Sequence, residues 1–80
     1  MKQRDQVTYK DFLIWAITYS LRDSEEWIAE VNIRRKHGLT IRPFLLGHIF
    51  KNEEDATYHA MLYGELIIDG LIPGYHIEDI

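Results

Sequence analysis

From Trp27 to Arg35 the side chains alternate in character. Trp27, Ala29, Val31 and Ile33 fall on one side of an extended chain, and Ile28, Glu30, Asn32 and Arg34 on the other. A period of two with β-branched and aromatic content predicts a strand over 27–36, one face packed and the other wet. The preceding run, 12–21, is apolar on both phases, and the odd phase (Leu13, Trp15, Ile17, Tyr19, Leu21) is the richer. Helical spacing competes there. Thr8 followed by Asp11 imitates a capping box, and Tyr9, Phe12, Leu13, Ala16 and Ile17 would share a helical face. Ile14, Trp15 and Thr18 would then wrap bulk round the whole helix, so a strand over 12–21 is expected, with Phe12 and Ile14 pointing outward. The polar stretch RDSEE joins the two runs as a hairpin.

RKHGL marks the next turn, with Gly38 free to take a positive φ. A third strand is expected over 41–50. Pro43 lacks an amide proton and assigns this strand to an edge, while Phe44-Leu45-Leu46 breaks the alternation as a bulge does. In KNEEDA, Asn52 is placed to cap a helix whose dipole favours Glu53, Glu54 and Asp55 in its first turn. Ala56, His59, Ala60, Tyr63 and Ile67 share one face of a helix over 53–67. Gly64 weakens that helix and offers it an end, with ELIID continuing either as a last turn or as extended chain, and DG and PG punctuate a tail over 70–80. The expected fold class is α+β: one domain over 1–80, a three-stranded antiparallel meander with one C-terminal helix packed on one face (β-β-β-α) and a short tail.

Eighty residues without cysteine exclude a disulfide framework and a thiolate metal site. Such a short chain has little core of its own, which favours self-association. No apolar run follows the basic opening residues and none is long enough to span a bilayer, so a cytoplasmic protein without a membrane partner is expected. The formal charge of −4 is unevenly spread. Residues 1–51 hold all nine Lys and Arg against six acids, a balance of +3, and residues 52–80 hold seven acids and no Lys or Arg, a balance of −7.

Candidate chemistry is sparse. Asp55 and His59 stand four apart on the helix with His48 near in sequence, but no HExxH, EF-hand or CxxC spacing accompanies them. There is no cysteine nucleophile, no GxSxG and no glycine-rich phosphate loop. No catalytic residue, metal or cofactor is therefore expected. Tyr58, Met61 and Leu62 lie off the helix face assigned to the sheet and are the candidates for binding another protein, or a second copy as a homodimer. The alternative is a nucleic-acid-binding module. Arg34, Arg35, Lys36 and His37 cluster at the second turn with Arg42 just beyond, a patch suited to phosphates. The negative overall charge and the absence of a basic stripe on the helix disfavour it.

GHIF, a polar pair and then EEDA opening an alanine-spaced helix, all after a two-strand hairpin, resemble the partial double-stranded-RNA-binding-like fold. The stretch from Trp27 to about Ile67 is similar to the N-terminal domain of HicB-type antitoxins. The resemblance implies a β-β-β-α module and a role as an antitoxin-like inhibitor or adaptor. It assigns no functional residue.

Overall fold

The computed structural model describes residues 2–3, 6–22, 25–78 and 80; Asp23 and Ser24 of the expected RDSEE turn lie outside them. Strands β1 (Lys2–Gln3), β2 (Val7–Tyr9), β3 (Phe12–Ser20), β4 (Trp27–Arg35) and β5 (Ile41–Leu45) precede helix α1 (Glu53–Ile68). Every pairing is antiparallel. The sheet order is β1-β3-β4-β5, with β2 lying along the same edge of β3 as β1. The expected β3-β4-β5 meander and C-terminal helix are present, and the N-terminal pieces make the sheet four strands wide. Thr8 pairs with Leu13 across a two-residue hairpin at Lys10-Asp11, so no helix starts there. β5 is an edge strand, as Pro43 requires. No described helix is long and apolar enough to cross a membrane.

The phase of β3 is the reverse of the expectation. Cross-strand partners share a face, and β4 packs its odd residues, as its alternation predicts. The register Ile14↔Ile33, Ala16↔Val31 and Thr18↔Ala29 therefore turns the even residues of β3 to the helix. Phe12, Ile14, Ala16 and Thr18 are buried there, rather than Phe12 and Ile14 pointing outward. Leu13, Trp15, Ile17 and Tyr19 occupy the opposite face. With both phases apolar, composition could not choose between them; the connection to β4 does.

Asn52 caps α1, its side-chain oxygen accepting from the Asp55 amide at 2.8 Å. The Thr18 hydroxyl donates to the Glu53 carboxylate at 3.3 Å and ties the first turn to β3. The helix buries Ala56, Ala60, Gly64 and Ile67 against the sheet. His59, assigned to that face from its spacing, is exposed at the flank. Gly64 does not end the helix. A Cβ there would stand 2.8 Å from Val31 Cγ2 and 3.6 Å from Ile14 Cγ2, so the glycine permits close approach. The helix stops at a Schellman motif. Gly70 takes φ 75°, its amide donates to Ile67 O at 3.0 Å, and the Leu71 amide donates to Leu66 O at 2.9 Å. Gly38, by contrast, does not adopt a positive φ; its amide closes a turn onto Arg35 O at 3.0 Å.

The C-cap residue Asp69 joins the helix end to the β2–β3 hairpin. Lys10 Nζ pairs with its carboxylate, and the Tyr9 hydroxyl donates to Oδ2 at 2.7 Å. A carboxylate at a helix C-terminus is disfavoured by the dipole, and Lys10 offsets that. Hydrogen bonds from Lys10, then Tyr9, hold the Asp69 carboxyl below its ordinary value of 3.8. The same carboxylate raises Lys10 above 10.5 and Tyr9 above 10.0.

Two outcomes are expected. Gly64→Ala gains about 1 kcal/mol of helix propensity but loses about 1–3 kcal/mol to overpacking, a net destabilisation. Combining it with Val31→Ala in denaturant melts should cost clearly less than the sum of the single changes. Asp69→Asn should lower the melting temperature at neutral pH. Because the folded carboxyl is depressed, its contribution is full above 3.8 and lost as pH falls through the lower, folded value. The gap between the two proteins should therefore close on strong acidification; a gap that stays constant would count against the clamp.

Candidate functional site

Beyond Leu45 the edge strand carries more chain than its partner can match. Leu45 pairs with Glu30 and Phe50 with Trp27, so five residue steps face three. The chain leaves the ladder after the Leu46 amide donates to Ala29 O at 3.0 Å. It returns at Phe50, which exchanges two 2.8 Å backbone bonds with Trp27. β5 thus ends at Leu45 rather than 50, and the chain, two residues longer than its partner here, bulges outward at 47–49.

This excursion and the flank of α1 enclose a groove of about 370 Å³. Leu46, Gly47, His48 and Phe50 form one wall; His59, Leu62, Tyr63 and Leu66 form the other. Phe50 is the floor to which both histidines come. Its ring centroid lies 5.8 Å from His48 and 5.1 Å from His59, the latter nearly parallel at 29°. His59 Nδ1 lies 2.8 Å from the Asp55 carbonyl, and a carbonyl accepts only, so Nδ1 carries the proton. The Asp55 carboxylate turns instead toward Asn52 Nδ2, 3.4 Å away. Among the described residues no three of His, Asp and Glu converge as a metal site.

The tail packs beside the groove without lining it. Tyr75 meets Phe44 edge-on at 5.4 Å and Tyr63 at 5.9 Å. Burial, and after it the Tyr75 hydroxyl, raises the Tyr63 phenol above its usual range. Ile72, Ile77 and Ile80 pack on the core beside the helix.

The three protein-binding candidates separate. Tyr58 and Leu62 remain 63% and 40% exposed, and Leu62 lines the groove. Met61 does not join them. Five residues after Ala56, it stands about 140° round the helix, and it packs half-buried against the core. Leu46, Phe50 and Leu66 were not foreseen as a wall. The broken alternation at Phe44-Leu45-Leu46 was their one visible signal.

The basic candidates are divided between the faces and engaged in local contacts. Arg34 lies on the face away from the helix and donates to Gly38 O at 2.6 Å. Arg35 lies on the helix side, its guanidinium 4.9 Å from the Phe12 ring centroid and its Nε donating to the main-chain oxygen of Ile80 at 2.8 Å. Arg42 sits over Phe44 at 5.3 Å. Arg35, Lys36 and His37 do border a hollow of about 250 Å³, but Asp11 borders it too. A carboxylate there opposes a phosphate.

Arg35 reads as a latch for the tail. Arg35→Ala should speed hydrogen exchange at the Tyr75 and Ile80 amides by roughly tenfold, as loss of about 1.5 kcal/mol of charge-assisted bonding predicts. Lys36→Ala should leave both unchanged. Equal protection in the two variants would show that the tail is held without Arg35.

Compared with known proteins, the chain matches no family model, no curated protein and no solved structure, so its function is read from its own residues.

Proposed function

We propose that this is a non-catalytic protein-binding module, antitoxin-like, inhibitory or adaptor in role, that seats an apolar side chain of a partner in the groove between 46–50 and α1. The groove's composition carries this reading. Leu46, Phe50, Leu62 and Leu66 make its walls apolar, and among the described residues the polar side chains lining it are His48, His59 and Tyr63. Ordered apolar walls with few polar groups are what a binding pocket presents. Among the described residues the lining offers no carboxylate, lysine or serine to work with the histidines, which supports binding over acid–base chemistry.

Exposed apolar groups continue outside the groove at Ile49 and Tyr58. A surface that extends past a small cavity suits a polypeptide better than an isolated small molecule. The charge of the surroundings adds a preference. The segment forming the helix and tail carries seven acids and no Lys or Arg, so a basic segment with an apolar anchor fits best.

The test is selection of peptides from a random display library on the immobilised domain, with binding measured in solution. Enriched sequences are expected to carry an aliphatic or aromatic anchor flanked by Lys or Arg, and to shift the amide resonances of 46–50 and 59–66. Leu62→Glu should weaken them at least about tenfold, since burying one such side chain is worth about 1.5–3 kcal/mol, while leaving the melting temperature nearly unchanged. Peptides that bind Leu62→Glu equally well would remove the groove from the account.

A further inference from the structure

The sheet has a second face, and no described element covers it. Its side chains form three rows across β3, β4 and β5. The register sets Leu13, Arg34 and Ile41 in the first, Trp15, Asn32 and Pro43 in the middle, and Ile17, Glu30 and Leu45 in the third. Antiparallel sheets with one wet face show polar residues there. On β3 this face is instead apolar throughout, Leu13, Trp15, Ile17 and Tyr19. Trp15 and Asn32 at the centre are already nearly buried by their surroundings, and Asn32 Nδ2 donates to Glu30 Oε2 at 3.2 Å. The periphery is open, with Leu45 at 59% and Ile41 at 49% exposed.

The pattern is complementary to itself. A two-fold axis laid in the plane of this face, along the Trp15-Asn32-Pro43 row, reverses the strands and sets each row against the opposite row of a second copy. Arg34 then faces the second copy's Glu30, Glu30 faces its Arg34, Leu13 faces Ile17, and Ile41 faces Leu45. Both ion pairs and both apolar pairs are generated by one operation. The alternative axis, along the strands, would bring Glu30 to Glu30 and Arg34 to Arg34.

We infer that the domain forms a two-fold dimer through this open sheet face, the strands of the two copies antiparallel across the interface. The dimensions suit it. Strands of 2, 3, 9, 9 and 5 residues give a flat area on the order of 450 Å², to which side-chain relief adds toward the ~800 Å² per partner of a standard interface. Sheets packed this way lie about 10 Å apart, within reach of an Arg–Glu pair. Arg34 keeps donors beyond the one given to Gly38, and Glu30 keeps an oxygen beyond the one accepting from Asn32. Such a dimer leaves the helix groove of each copy facing outward.

The experiment is sedimentation of the full chain with a charge-swap cycle. The wild type is expected to be dimeric. Glu30→Arg or Arg34→Glu alone places like charges together on both sides of the axis and should weaken the dimer at least about tenfold. The double swap, Glu30→Arg with Arg34→Glu, should restore it to within about threefold. Leu45→Lys, at an exposed edge position, should dissociate the dimer while its circular dichroism stays native. In a chain without cysteine, Pro43→Cys on the axis row should be joined to its counterpart by a bismaleimide with a spacer of about 10 Å, the separation of packed sheets, and Tyr58→Cys on the helix should not. A monomer at every concentration overturns the inference. So do a dimer indifferent to both single swaps, one not restored by the double swap, and crosslinking through Tyr58→Cys in place of Pro43→Cys.

Discussion

Where α1 crosses β3 and β4 it presents Ala56, Ala60 and Gly64, three small residues at four-residue spacing, to Ile14, Val31 and their neighbours. Small side chains on one stripe bring the helix axis close to the sheet, and dispersion contacts fall off steeply with any gap. The 2.8 Å left for a Cβ at Gly64 shows that the approach is limited by Val31. From that closeness other contacts follow. The Thr18 hydroxyl reaches Glu53, Asp69 reaches the Lys10 hairpin, and His59 comes down onto Phe50. A helix held farther out by larger residues would lose all three.

The groove follows from the same packing combined with one irregularity in the sheet. Bulges re-aim side chains at strand ends. Here the two additional residues between Leu45 and Phe50 turn the edge outward, while the Trp27–Phe50 bridge brings the chain back under the helix flank. Leu46 and Phe50 are consequently fixed by backbone bonds to β4, and 47–49 between them form a loop. Tyr75 packs against Phe44 and Tyr63, and Arg35 holds the tail's end through Ile80. A guanidinium over an aromatic ring that also binds a main-chain oxygen is an architectural use of arginine. From sequence that residue was indistinguishable from a phosphate ligand.

How much was legible depended on whether the signal was local. The alternation of β4, the Asn52 cap and the edge position of Pro43 are local chemistry, and each is where the sequence indicates. The phase of β3 is not local. With apolar residues on both phases, the choice rests on the number of residues connecting Ser20 to Trp27, because a slip of one would exchange the faces. The pairing of β1 and β2 with β3 was also invisible, since strands of two and three residues carry too little periodicity. Gly64 was misread for a related reason. Propensity marks a mid-helix glycine as weakness, and only the facing Val31 gives it a purpose. In the site, Leu62 was within reach of helical geometry. Leu46 and Phe50 depended on a bulge whose position the sequence hinted at but whose direction it did not.

The apolarity of β3 on both phases, ambiguous as a predictor of orientation, carries information about assembly. A strand needing cover on both faces belongs in the middle layer of three, and the described residues supply two. The distribution of charge agrees with a third layer on the sheet side. The acids concentrate in the helix and tail, whereas the open sheet face carries one Glu and one Arg in the central strand, equidistant from Asn32. An interface with balanced charge is desolvated with less repulsion than one bearing a single sign. In the proposed dimer the acidic helical layer would stay outermost, with the groove of each copy beside it. The two surfaces are thereby separated by sign and by side: a nearly neutral face suited to a second copy, and an acidic one suited to something else.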